Sequence, residues 1–363
     1  MNTPQEFAEL RAGLRALERA GFAGGAALAT LTRTRGPAFR RPGARMLVQG
    51  DGKVLRSLAG GCPEADLVTR AKDVIARDAA QIVRYNQDYG LDALVESGCG
   101  GELEVLLEPL ARPADLRFLD AVERCVEARG SGLLATAYAC DESCLQPRPR
   151  RLVWNGASAC DEFGDARLSE AVLSADASAG ATRVQRFETN QGRYDVLIEK
   201  LLAPQALAVI GSGAVALALA RLGALLGWAV TLVDHRTDAP APAIEHPGVR
   251  CQCASPEQLG ARVSLDRRSA VVVMTHNLER DIAYLRALRE QPLAYLGAVG
   301  SRSRADKIFA ATGLTNERLH APAGLDLGSE TPEEIALAIA SEILALGTGH
   351  RGGFLSTSSA PIH

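Results

Sequence analysis

Two kinds of hydrophobic pattern divide the chain. From residue 206 onward the apolar positions come in continuous runs. ALAVI, a glycine turn, the small-residue stretch AVALALARLGALLG and then WAVTLVDH read as buried strand, helix and buried strand. AVVVMTH at 270–276, a helical stretch near 278–290, LAYLGAVG at 293–300 and helices over 303–312 and 332–346 continue the alternation. That order predicts a doubly wound parallel sheet, a Rossmann-like domain over 204–346. Thr331, Pro332 and Glu334 supply N-cap, first position and capping box for the last helix. The Gly-, Ser- and Thr-rich end, 347–363, is expected to be a loosely held tail.

The front half alternates instead and is written twice. LATL at 28–31 is answered by LATA at 134–137, and PGARMLV at 42–48 by PRPRRLV at 147–153. IVRY at 82–85 is answered by VQRF at 184–187, and LEVLLEPL at 103–110 by YDVLIEKL at 194–201. The order is the same and the identity is too low for a tandem array. The pattern predicts a duplicated α+β domain over 1–203, with units at about 24–110 and 130–203. Strands are expected near 26–33, 44–49, 82–86 and 103–108 and at their counterparts. Helices are expected at 64–77 and 167–174. The fold class is therefore α/β: a duplicated α+β N-terminal domain followed by a Rossmann-like doubly wound parallel-sheet domain.

Composition narrows the function. A net charge of −3 over 363 residues excludes an obligate binder of the nucleic-acid backbone. No stretch reaches the roughly 18 apolar residues of a membrane helix. The start carries acids early at helical spacing and is not expected to be a secretory signal. Eight cysteines are too few for a disulfide scaffold, so thiols in a reducing cytoplasm are expected. Of the 40 basic residues only Lys53, Lys72, Lys200 and Lys307 are lysines, which codon bias toward Arg explains in total though not in clusters.

Chemistry concentrates in two places. Gly211, Gly213 and Ala216 form G-x-G-x-x-A between a strand and a helix, and Asp234 ends the next strand. Such a turn lets a pyrophosphate approach the backbone, and the acid suits a ribose hydroxyl. The same fold can instead bind another phosphate, or nothing. His276 follows VVVM at a strand end. Gly300, Ser301 and Arg302, with Arg304, form an anion nest at a helix mouth. GLDLGSET at 324–331 is a third glycine-rich approach.

In the first repeat, Cys62 lies in GGCPE at a helix mouth, where a thiol is more acidic and more nucleophilic. Cys99 lies in GCGG. Neither has the companions of a zinc set. Cys125 and Cys160 fit inert packing. Arg33, Arg35, Arg40, Arg41 and Arg45 surround the same half and could grip a phosphate. The second repeat lacks both Gly-Cys pieces, so the first is the functional copy.

These segments together resemble the XdhC/CoxI family, accessory proteins that mature xanthine dehydrogenase and related molybdenum hydroxylases. The resemblance runs from about residue 24 to 346 and rests on AGGCPEADL, GCGGELEVLLEPL, AVIGSGAVALALARLGALLGWAVTLVDHR, VVVMTHN, YLGAVGSRSRADKI and HAPAGLDLGSETPEEIALAIASEILAL. It implies a cytoplasmic molybdenum cofactor (molybdopterin) chaperone with no turnover of its own. Such a protein supports sulfuration by a cysteine desulfurase and inserts the cofactor into the client hydroxylase; a homo-oligomer is expected. Carried over, Cys62 and Cys99 meet the metal, and His276 with Gly300, Ser301 and Arg302 bind the rest of the cofactor, to which the reading of the glycine turn adds Gly211, Gly213 and Asp234. The family turn often reads G-x-G-H where this chain has Ala214, and Val often follows GGC where this chain has Pro63. The competing reading is an NAD(P)-dependent oxidoreductase with His276 as acid or base. Under the chaperone reading both halves are expected to border one ligand cleft, joined by a short connection near 202–205 stiffened by Pro204.

Overall fold

The computed structural model describes residues 4–36, 38, 40–58, 62–85, 101–141, 144–156, 159–176, 182–235 and 248–357. The chain forms two compact units that meet in sequence at Ala203 and Pro204.

The first unit begins with helix α1 (Pro4–Arg19) and holds two five-stranded antiparallel sheets of identical topology. β1 (Ala26–Arg35), β2 (Arg45–Gln49), β3 (Val54–Leu55), β4 (Gln81–Tyr85) and β5 (Glu102–Leu110) pair in the order β3-β2-β1-β5-β4. β6 (Ser131–Asp141), β7 (Cys144–Trp154), β8 (Ala159–Asp161), β9 (Arg183–Thr189) and β10 (Gly192–Leu202) repeat it as β8-β7-β6-β10-β9. Helix α2 (Cys62–Arg77) belongs to the first repeat, and α3 (Arg117–Glu127) and α4 (Ala166–Asp176) to the second.

Period-two alternation gives each sheet two different faces. Ala27, Ala29, Met46, Val48 and Leu107 pack under Leu67, Ala71 and Val74 of α2. Ala135, Leu152 and Ile198 pack under Leu168 and Val172 of α4 in the same way. The other faces share one core: Leu28, Leu47 and Leu110 with Leu134, Val153 and Leu201, closed by Leu10 and Leu14 of α1 and Phe118, Leu119 and Val122 of α3.

The strand register corrects one part of the repeat alignment. Leu28 faces Leu47 and Glu108, while Leu134 faces Val153 and Glu199. Arg45 therefore corresponds to Arg151, not to Arg150 as the matched prolines suggest. β7 is six residues longer than β2, so proline at the start of each string is no guide to the ladder.

This register puts charge between the sheets. Arg45 of the first repeat pairs with Glu199 of the second, with Nη1 2.9 Å from Oε1. Arg151 of the second pairs with Glu108 of the first. All four side chains are at most 4% exposed. The two ion pairs are thus reciprocal, each crossing from one repeat to the other.

The second unit is a parallel sheet of β11 (Ala206–Ile210), β12 (Ala229–Asp234), β13 (Val249–Cys253), β14 (Ser269–Val273) and β15 (Tyr295–Ala298), in the order β13-β12-β11-β14-β15. Helices α5 (Ala214–Leu225) and α8 (Pro332–Thr348) cover one face through Leu219, Ala220, Ile339 and Ile343. Helices α6 (Leu278–Leu288) and α7 (Arg302–Thr312) cover the other through Tyr284, Leu285, Leu288 and Ile308. The chain then runs alongside β15: His320 N–H donates to Leu296 O, and Ala298 N–H donates to His320 O, both at 2.9 Å. The predicted capping box on α8 is present, and the helix continues to Thr348. No described helix is long and apolar enough to cross a membrane.

Candidate functional site at the carboxyl edge of the parallel sheet

The strand order reverses between β11 and β14, which leaves a crevice at the carboxyl ends of the strands. Gly211 opens it. Its φ is +139°, and a Cβ there would stand 2.5 Å from the Met274 carbonyl oxygen. Glycine is required by the backbone just past the end of β14, before any ligand is considered. Gly211→Ala is expected to destabilise the second unit by about 2 kcal/mol. The emission of Trp228, the one tryptophan in that unit, would follow its melting.

Gly213 is the N-cap of α5, and Ala216 is fully buried against the sheet. Asp234 ends β12, with its Oδ1 3.2 Å from His235 Nδ1. The turn after β14 is held from below. Asp281, fully buried, accepts from Thr275 N at 3.0 Å, from Thr275 Oγ1 at 2.6 Å and from Arg304 Nη2 at 2.7 Å. Asn277 caps α6 and accepts from Arg280 N at 2.9 Å. Between these two pinned residues His276 takes a left-handed φ of +62°. Its imidazole lies over Gly213, where a Cβ would clash with Nε2 and stand 3.1 Å from Cδ2.

Ser301 caps α7 and accepts from Arg304 N at 3.2 Å. Arg302 is exposed beside it. The expectation that Arg304 adds free positive charge is corrected, because its guanidinium is committed to Asp281. The crevice therefore brings Gly211, Gly213 and His276 together, with Asp234 on the neighbouring strand. Gly300, Ser301 and Arg302 are tied in through Arg304 and Asp281.

A group that sequence reasoning missed lies nearby. Glu342 of α8 accepts from Tyr295 OH at 2.6 Å and from Gly324 N at 2.7 Å, and pairs with His320 Nδ1 at 2.8 Å. It anchors the start of the third glycine-rich loop.

In the first unit Cys62 begins α2, but its side chain lies outside the described residues, as does all of Cys99. Cys125 is buried, and burial pushes its thiol up, as inert packing requires. Cys160 is half-buried. The arginine cluster is largely spent. Arg33 pairs with Glu104 at 3.2 Å and Asp195 at 3.1 Å, Arg40 with Glu6, and Arg45 with Glu199. The expected phosphate grip loses those three to carboxylates, while Arg35 and Arg41 remain exposed. Among the described residues no group of three or more His, Cys, Asp or Glu is placed to hold a metal ion. What the described residues fit is the phosphate end of a cofactor: a capped helix mouth with an exposed arginine.

Fold and crevice define a Rossmann-type α/β protein fused to a duplicated α+β unit. Residues 207–343 match the model of the XdhC Rossmann domain, and residues 23–86 match that of the XdhC and CoxI family. The chain belongs to the XdhC/CoxI family. It is 26% identical over 324 residues to a Bacillus subtilis protein named as a probable xanthine dehydrogenase subunit, covering 88% of this chain and 92% of that one. It is 24% identical over 328 residues to the molybdenum cofactor insertion chaperone PaoD of Escherichia coli, covering 89% and 83%. The crystal structure of a xanthine dehydrogenase from Bacillus halodurans superposes with a TM-score of 0.75 at 23% identity, covering 96% of this chain and 98% of that one, and shares the fold.

Proposed function

We propose that this protein is a cytoplasmic accessory protein for a xanthine dehydrogenase-like molybdenum hydroxylase. In this reading it binds the molybdenum cofactor, supports its sulfuration by a cysteine desulfurase, and inserts it into the client. The observation that carries the reading is the near full-length similarity to a chaperone named for molybdenum cofactor insertion. The cofactor supplies the molybdenum and its dithiolene; the chain supplies binding groups. Soft thiolates at Cys62 and Cys99 suit the metal end. The mouth of α7 with Gly300, Ser301 and Arg302, and the crevice residues Gly211, Gly213, Asp234 and His276, suit the phosphate end. A homo-oligomer is part of the same proposal.

Cys62→Ala and Cys99→Ala are expected to lower molybdenum bound per chain at least about tenfold, the equivalent of losing roughly 1.4 kcal/mol of affinity. Melting midpoints should stay at the wild-type value. Elemental analysis of protein from a molybdenum-replete host, beside a melting curve, reads both. Undiminished molybdenum in both variants would reject the ligand role, and a much lower melting point would make the thiols structural.

A second reading, an NAD(P)-dependent oxidoreductase, is favoured by the strand order, the glycine turn and Asp234 at the end of β12. Steady hydride transfer to a small substrate would promote it over the chaperone.

A further inference from the structure

In a dinucleotide-binding turn, the second glycine leaves room for the pyrophosphate to approach the backbone. Here that room is taken by the protein itself. The His276 imidazole stands over Gly213 so closely that a Cβ there would clash with its Nε2. We propose that His276 is a specificity-determining residue: its imidazole fills the diphosphate subsite and shuts diphosphate-linked dinucleotides such as NADH out of the crevice.

Three observations carry this. His276 leaves β14 at the reversal of strand order, directly across from the glycine turn after β11. A ligand following the usual path over Gly213 meets the ring before it meets the helix mouth. The His276 side chain is exposed, but the backbone that carries it is fixed on both sides. Thr275 is fixed to buried Asp281 by its amide and its hydroxyl, and Asn277 is fixed as the cap of α6. His276 is left in a left-handed conformation that non-glycine residues seldom adopt, so its Cβ direction is set by its neighbours.

Finally, both glycines of the motif are accounted for without a nucleotide. Gly211 is required by the Met274 carbonyl, and Gly213 by the His276 ring. The motif that suggests a dinucleotide thus also follows from packing two adjacent loops.

The test is NADH titration of the full-length protein followed by nucleotide fluorescence, with His276→Gly, His276→Ala and His276→Phe beside wild type. Glycine suits the positive φ and clears the crevice, alanine clears it at unchanged strain, and phenylalanine keeps a ring in place. NADH should bind the glycine and alanine variants at least about tenfold more tightly than wild type. The phenylalanine variant should resemble wild type.

Wild-type binding as tight as that of the glycine variant would overturn the proposal. So would weaker binding on ring removal, which would make the imidazole a phosphate contact. Folded glycine and alanine variants that bind no better than wild type would overturn it too. NADH binding and molybdenum content are read separately on the same samples, so failure of this proposal and failure of the chaperone reading, in which His276 also helps hold the cofactor, are distinguishable.

Discussion

Glu199→Ala should lower the melting temperature of the first unit on the order of 10 °C, from a loss of about 3–5 kcal/mol. The Glu199 side chain is fully buried and that of Arg45 is 4% exposed. Arg45 also donates to Gly43 O at 3.0 Å, so it is fixed at the foot of β2 and cannot swing out to water. Removing the carboxylate leaves a buried guanidinium charge between two sheets without the carboxylate it is hydrogen-bonded to. The double variant Arg45→Met with Glu199→Leu removes both charges and should recover most of the loss, because well-packed apolar groups replace a buried pair at little cost.

Trp154 on β7 reports on this unit. Arg151 and Glu108 give the same experiment in reverse, with the Arg151 guanidinium additionally 4.2 Å from the centre of the Phe118 ring. Glu108 also acts on Arg45 through space, so single variants taken from the two pairs should not add.

The same pair sets a dependence on pH. Burial pushes the Glu199 carboxyl up, but positive charge, that of the Arg45 guanidinium first, outweighs it and holds the group below the usual carboxylate range. A folded value below the unfolded one contributes stability above the unfolded carboxylate range, and that stability is lost as pH falls through the folded value. Acid melting of the first unit should therefore be steeper in wild type than in the double variant. Equal slopes would mean that the pair does not titrate with unfolding.

What the sequence reveals follows from how local each feature is. The parallel sheet is legible because strand, glycine turn, helix and second strand lie in one contiguous stretch from 206 to 234. The repeat is legible because LATL and LATA, and the strings that hold Glu108 and Glu199, recur in the same order. β3, β8 and β13 give no signal. The first two span two and three residues, and β13 reads VRCQC, with no residue fully buried.

The reciprocal ion pairs are invisible in one dimension because their partners lie 154 and 43 positions apart. The arginines look available in sequence for the same reason, since their carboxylates come from other strands. His276 is readable as a residue at a strand end. Its place over Gly213 is not, since that depends on a left-handed turn fixed by Asp281 and Asn277.

Glu342→Ala should destabilise the second unit by roughly 2–4 kcal/mol, through groups left without partners in a buried place. Tyr295 is 3% exposed and stacks on His320 at 4.7 Å between ring centres, so its hydroxyl has no route to water. Gly324 loses its acceptor as well. With φ at +114° and a Cβ position 3.2 Å from Ala338, it packs too closely on α8 to shift. Glu342→Gln should cost less, since the amide oxygen still accepts from Tyr295 and Gly324 while its NH2 faces His320 Nδ1, which accepts in one of its tautomers.

The pH profile separates this group from a simple packing loss. Burial pushes the Glu342 carboxyl up, but bonds from His320, Tyr295 and Gly324 outweigh it and hold the group below its ordinary range. Its contribution is therefore present above the unfolded carboxylate range and lost on acidification. Burial, then the neighbouring carboxylate, pushes the Tyr295 hydroxyl well above its ordinary range, so its contribution is lost as pH rises far into the alkaline. Wild type should show stability falling on both flanks; Glu342→Ala should flatten the acid flank and only ease the alkaline one, where the burial of Tyr295 remains. Hydrogen exchange should show the Gly324 amide losing protection in the variant. A Glu342→Ala protein that melts like wild type by Trp228 emission, with Gly324 still protected, would show that the loop is held by something other than this carboxylate.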